Sequence, residues 1–283
     1  MTPAVTSVDD AVQAPPGLDA WLAAARATPE PDGVSEVDIG GVRCVVKRRR
    51  RPSRAPLDYG LRYLRAASLS AFCRLFLGEF PSPKVLLRNG LADEARRLRH
   101  WRARGCAVPA VYAEEPGMLV LAYVGTSFPG HLRRADAPTR LALLRAAGED
   151  LARFHQAGGW HGGAQLRNIT VLDGRRWRID FEENIGGALS LPLAQAYDVL
   201  QASLSLMGLG RVQNPDWPAM GQALLDGYLS VQDDALVREQ LRAMARTLGR
   251  VARPLRPVLV RLPWRDVQGF LRTADLMQSL SQP

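Results

Sequence analysis

The run His161-Gly-Gly-Ala-Gln-Leu-Arg-Asn168-Ile-Thr-Val-Leu-Asp-Gly-Arg-Arg-Trp-Arg-Ile-Asp180-Phe-Glu-Glu183 decides how the rest of the chain is read. Ile-Thr-Val-Leu and Arg-Trp-Arg-Ile-Asp-Phe are β-prone, and Asp173-Gly174 between them signals a two-residue hairpin turn. If Leu172 pairs with Arg175, partner numbers sum to 172 + 175 = 347, and Asn168 falls opposite Ile179. Asn168 and Asp180 then meet at the open end of the hairpin, within roughly 5–8 Å. An amide oxygen and a carboxylate so placed suit Mg²⁺, which is held by one or two carboxylates plus substrate phosphates. Either residue alone reads as a strand-end cap. The pair, between a His-Gly loop and Phe-Glu-Glu, selects the metal reading.

Upstream, Leu91, Glu94, Leu98 and Trp101 share one face of a helix expected over 91–103. A carboxylate on that apolar stripe needs a cation if it is buried. Lys47 ends the strand Val-Arg-Cys-Val-Val-Lys and is the preferred partner; an exposed i,i+3 pair with Arg97 is the alternative. Lys47 itself follows a hairpin, Val37–Ile39, Gly40-Gly41, Val42–Lys47. Leu119–Val124 reads as a buried strand, and Asp136 caps a helix running to about Gln156. From Pro192 the pattern is helical, with breaks expected near 208–218 and 253–263. The fold class is therefore α+β. Residues 1–16 form a disordered leader, 17–124 a small strand-bearing lobe, and 125–283 a larger helical lobe containing the 161–183 hairpin.

With 283 residues, 47% apolar and 23% charged, the chain is long enough for a sizeable core and is not a disordered polyelectrolyte. No run of apolar residues suits a membrane span, and the first residues lack the basic and apolar regions of a secretory leader. Cys44, Cys73 and Cys106 form neither a metal pattern nor a disulfide framework, so a cytoplasmic location is expected. The net charge of +9 favours anionic partners. Lys47–Arg51 with Arg54 is the densest charge, and Leu61, Leu64, Leu69, Phe72 and Phe76 follow at helical spacing. This insertion, 48–83, reads either as peripheral contact with an anionic glycolipid or inner-membrane surface, or as an extra helix on the small lobe. No aromatic interleaving or zinc motif supports nucleic-acid binding.

Lysine on a strand, glutamate on a helix, an apolar hinge strand, His-Gly-x(5)-Asn and Ile-Asp-Phe, in that order, resemble the protein-kinase-like fold. The similarity is greatest to the bacterial small atypical kinases: the lipopolysaccharide-core (Kdo) kinases and the small kinase of the tRNA-threonylcarbamoylation complex. It spans about residues 37–205. The resemblance implies that Lys47 meets the α/β-phosphates of ATP, Glu94 holds Lys47, and Leu121–Tyr123 form the adenine hinge. It implies that Asn168 and Asp180 bind Mg²⁺, that His161 is the structural histidine of the catalytic loop, and that Asp198 braces that loop. Both His161 and His155 read equally as satisfied core histidines, and for His155 that reading is preferred.

Two departures follow from the same resemblance. The catalytic aspartate belongs two residues after His161, where this chain has Gly163. Glu182 and Glu183 are the carboxylates at hand to replace it; the alternative for either is a solvated loop acid. No Gly-x-Gly-x-x-Gly loop precedes Lys47, leaving residues 28–36 as a degenerate phosphate cradle. The implied activity is ATP- and Mg²⁺-dependent phosphotransfer to a glycolipid sugar or protein hydroxyl; the alternative is a pseudokinase scaffold.

Overall fold

The computed structural model describes residues 13–28, 31–49, 63–64, 67–68, 70–71, 73–74, 78–79, 81–86, 90–206, 216–262 and 264–281. The α+β class expected from the sequence is observed. Helix α1 (Leu18–Ala27) precedes strands β1 (Gly33–Ile39) and β2 (Val42–Arg48). The one-turn α2 (Pro83–Leu86) and α3 (Leu91–Ala103) lead to β3 (Val111–Glu115) and β4 (Met118–Ala122). These strands form one antiparallel sheet of order β1-β2-β4-β3.

Alternation gives that sheet two covered faces. Cys44, Val46, Met118 and Val120 point to α1, where Leu18 and Leu22 bury against them. Val45, Leu119 and Leu121 point the other way and pack with Leu91, Ala95 and Leu98 of α3. Lys47 has the same parity as Val45, so its ammonium is delivered beneath the sheet beside α3. Val34–Ile39 pair with Lys47–Val42, so residues 33–36 of the segment read as a phosphate cradle form the start of β1, the edge strand of the sheet.

The second half opens with β5 (Thr126–Ser127), α4 (Phe128–Arg134) and α5 (Ala137–Gln156), followed by β6 (Ile169–Leu172) and β7 (Arg175–Arg178). Asp136 Oδ1 accepts from Thr139 N at 2.9 Å, the expected cap of α5. The β6–β7 register is Leu172 with Arg175 through Ile169 with Arg178, as the turn predicted. Helices α6 (Leu191–Ser205), α7 (Trp217–Val231), α8 (Ala235–Leu259) and α9 (Arg265–Gln278) complete the chain. The break expected over 253–263 falls between Leu259 and Arg265, while α8 continues through Pro254 and Pro257. Both lie in its exposed last turns, where lost hydrogen bonds are replaced by water.

Helices α5 and α7 approach at backbone distance. A Cβ on Gly148 would stand 2.1 Å from Leu224 O, and one on Gly227 2.0 Å from Arg145 O. The tight crossing anchors the core of Leu144, Leu151, Leu193, Leu200, Leu224 and Leu241 beneath the 161–183 segment. Most of the leader and most of the 48–83 insertion lie outside the described residues. Where the insertion is described it touches the helical half rather than the small sheet: Cys73 is buried in that core, and Glu79 receives Ser190 N at 2.8 Å. No helix among the described residues is long and apolar enough to cross a membrane.

Candidate active site

Lys47 lies between three carboxylates. Its Nζ donates to Glu94 Oε1 and Oε2 at 2.7 and 2.9 Å and to Asp180 Oδ1 at 2.8 Å, with Glu182 Oε1 at 3.8 Å. Glu94 is fully buried and Lys47 is 7% exposed. Burial favours the neutral amine, but Glu94 and Asp180 outweigh it and hold the Lys47 pKa above its ordinary value. Burial pushes the Glu94 carboxyl up despite Lys47. For Asp180 burial is again opposed by Lys47, and here the cation prevails and the pKa is lowered.

The hairpin brings Asn168 to Asp180. Ile179 N donates to Asn168 O at 3.0 Å, extending the ladder one step beyond β7. Asp180 then turns into the left-handed region at φ 69°, a costly conformation for a residue with a side chain. Asn168 Nδ2 donates to Gly163 O at 2.8 Å, which fixes the amide so that Oδ1 remains the free acceptor. Asn168 Oδ1 and the Asp180 carboxylate are a hard-oxygen set that fits Mg²⁺. Glu94 and Glu182 lie close enough to Asp180 to share an ion, but Glu94 spends both oxygens on Lys47, and Glu182 Oε2 is 2.6 Å from Arg49 Nη1.

Below, Asp198 of α6 organises the loop. It is fully buried and accepts from His161 N at 2.5 Å and Gly162 N at 2.7 Å, with His155 Nε2 at 3.2 Å. These donors overcome the burial that would raise its pKa, and the carboxylate is held ionised. His155 Nδ1 meets Tyr228 Oη at 2.8 Å, completing a core network and leaving His155 away from the cleft. His161 donates from Nε2 to Ile179 O at 3.0 Å and accepts from Gly163 N at Nδ1 at 3.3 Å. Burial lowers its pKa to about 4, so it is neutral and positional rather than a proton carrier.

Gly163 opens space that Glu183 enters. A Cβ on Gly163 would lie 3.3 Å from Glu183 Cδ and 3.5 Å from both of its carboxylate oxygens. Burial, then the nearby Asp180 charge, pushes the Glu183 pKa up. Leu121 is buried under the sheet, while Tyr123 N donates to Arg43 O at 3.3 Å and its ring carries the Arg43 guanidinium at 3.9 Å. The Tyr123 N–H is thus used within the protein.

One residue escaped the sequence reading. Arg97, considered there as a surface partner of Glu94, instead donates to Phe181 O, Glu183 O, Trp160 O and His161 O at 2.8–3.1 Å. Its guanidinium stacks on Trp160 at 3.8 Å, and burial lowers its pKa to about 10. The only sequence signal was its place one turn from Glu94. Carbonyl targets leave no residue pattern.

A buried Lys-Glu pair reaching an aspartate after β7, above a loop braced from a helix, is the arrangement that the resemblance to the protein-kinase-like fold implied. Residues 62–206 match the model of the phosphotransferase enzyme family, and the chain belongs to that family. It is 30% identical over 211 residues to a probable bifunctional tRNA threonylcarbamoyladenosine biosynthesis protein of Natronomonas pharaonis, covering 73% of this chain and 32% of that protein. It is 27% identical over 154 residues to the KEOPS complex subunit Bud32 of Pyrococcus abyssi, covering 52% of this chain and 66% of that subunit. The chain therefore spans about a third of the first relative and just under two thirds of the second.

Proposed function

We propose that this chain transfers the γ-phosphoryl group of ATP, with Mg²⁺, to a hydroxyl acceptor, either a lipopolysaccharide-core sugar or a protein Ser/Thr. The observation that carries the reading is the bridge from Lys47 to both Glu94 and Asp180. It supports a cation suited to α/β-phosphates, beside the hard oxygens of Asn168 and Asp180. Asn168 and Asp180 would hold the metal, which supplies charge neutralisation on the phosphate oxygens. In the transfer, an acceptor oxygen–phosphorus bond forms as the bond to the β-phosphate bridging oxygen breaks, releasing ADP. The acceptor proton goes to Glu183, whose carboxylate stands beside the space left by Gly163. Glu182, tied to Arg49, is the weaker choice of base. Leu121 and Tyr123 would border the adenine. The names of the relatives favour assembly with partner proteins. Arg48 and Arg49 of the basic run are engaged within the fold, by Ser35 and Glu182, so they favour no membrane contact.

Gly163 also favours a second reading, a nucleotide-binding scaffold without transfer. Calorimetric ATP binding and ATP turnover separate the two. Under the enzymatic reading Asp180→Asn removes Mg²⁺-dependent ATP binding. Glu183→Gln leaves binding intact but slows turnover about 10²–10⁴-fold, the usual worth of a general base. Restoring the aspartate in Gly163→Asp/Glu183→Gln then recovers turnover. Wild-type protein that binds Mg·ATP yet turns none over, unaltered by Glu183→Gln, identifies the scaffold.

A further inference from the structure

Away from the Lys47 site, a cavity of about 400 Å³ opens between the loop after α3, helix α5 and the β6–β7 hairpin. Arg104, Arg153, Arg175, Arg176 and Arg178 line it, and Asp150 is its one acidic side chain. Asp150 is already shared: it pairs with Arg153 at 3.1 Å and with Arg176. Arg178, Arg104 and Arg175 form no side-chain hydrogen bond to any described residue. They face rings, those of Phe154, Trp101 and Trp177 respectively, and Arg178 also feels the Asp150 charge without an ion pair to it. Arg178 is the telling one. Its strand packs across the seam between the two halves, with its N donating to Ala107 O at 2.9 Å, and its guanidinium is partly buried without an acceptor. Burial accordingly pulls its pKa down. A half-desolvated cation left unpaired is costly, and a planar guanidinium fork matches phosphate oxygens two at a time. The volume falls within the range of small-ligand sites.

We infer that this cavity is a second anion site, built for a small phosphate-bearing ligand and separate from the site that would hold ATP. The inference depends on the lining arginines and not on the proposed reaction. Its ligand would sit one aromatic ring from the metal loop, since Phe154 lines the cavity and packs against Phe181 with ring centroids 6.1 Å apart.

Titration calorimetry of the full chain with sodium pyrophosphate, in a chelating buffer free of divalent cations, tests it. Saturable binding is expected that weakens with added salt. Arg178→Gln should weaken it about tenfold to a hundredfold, the worth of one or two charge-assisted hydrogen bonds, while Lys47→Met leaves it unchanged. Arg104→Gln/Arg175→Gln alters two exposed side chains outside the packing and should also cost at least about tenfold. This keeps the test valid if Arg178→Gln fails to fold. AMP and inorganic phosphate, titrated in parallel, identify the source: tighter AMP binding that the arginine variants also lose assigns a nucleotide, and equal binding assigns the phosphate group alone. Absence of saturable binding at millimolar pyrophosphate, or binding that Lys47→Met removes and the arginine variants retain, overturns the inference. So would a short RNA that binds through these arginines and is not displaced by pyrophosphate.

Discussion

His161 shows what a buried neutral histidine contributes. Donating to Ile179 O and accepting from Gly163 N, it ties the loop to the end of the hairpin only while uncharged. Its pKa falls from 6.5 to about 4 on folding, so between those values the unfolded chain binds more protons than the native one. Stability therefore rises with pH in that window: it is complete above about pH 6.5 and is lost as pH falls toward 4, by on the order of 3 kcal/mol. His155, also lowered chiefly by burial, adds in the same direction. Urea unfolding of wild type and His161→Gln between pH 7.5 and 5 checks this. The wild type should lose stability faster, with an extra slope that grows from near zero at about pH 7.5 to nearly one proton's worth by about pH 5, and parallel curves would refute it. At this scale the sequence was legible where chemistry dictates residue type. Glu94 on an apolar face called for a cation, with Lys47 preferred over Arg97, and an Asp-Gly turn set Asn168 against Ile179. It was silent where backbone is the partner, as for the four carbonyls on Arg97 and the left-handed turn at Asp180.

Between elements, the α5–α7 crossing sets the platform on which the loop lies. Gly148 and Gly227 let the two helices meet main chain to main chain, and a methyl group in either place enters a carbonyl oxygen of the opposite helix. Gly227→Ala would gain helix propensity of up to about 1 kcal/mol, yet must separate α7 from Arg145. Overpacking of this kind costs about 1–3 kcal/mol, so a net loss is expected in thermal unfolding, with Gly158→Ala, whose Cβ would meet nothing, as a comparison for backbone strain alone. An unchanged or raised melting temperature in Gly227→Ala would mean the helices are not held at this distance. Elements with local signals were readable: the two hairpins, the Asp136 cap and the α3 stripe. The destinations of α1 and of the Cys73 segment were not. Both are amphipathic pieces whose apolar faces accept any large hydrophobic surface, and only the whole fold decides that α1 covers the sheet and Cys73 enters the helical core.

Across the whole molecule, Arg97 is the point where the sheet half and the helical half share one set of contacts. Helix α3 carries Glu94, which positions Lys47; one turn on, Arg97 grips the carbonyls of Trp160, His161, Phe181 and Glu183. Any displacement of α3 thus moves Lys47 relative to Asn168 and Asp180. Phosphoryl transfer depends chiefly on positioning, so affinity for Mg·ATP should report on this tie. A ligand at 100 times its Kd stabilises the native state by about 2.7 kcal/mol. Lysine at position 97 keeps the charge but offers a compact ammonium in place of a planar fork, and it cannot reach all four carbonyls. If the looser cleft weakens Mg·ATP tenfold, the same ligand concentration stabilises Arg97→Lys by only about 1.4 kcal/mol. Urea unfolding of both proteins, with and without Mg·ATP, measures the two increments independently of the variant's lower starting stability. An undiminished increment in Arg97→Lys would show that nucleotide affinity is set within each half, with the seam contributing to stability alone.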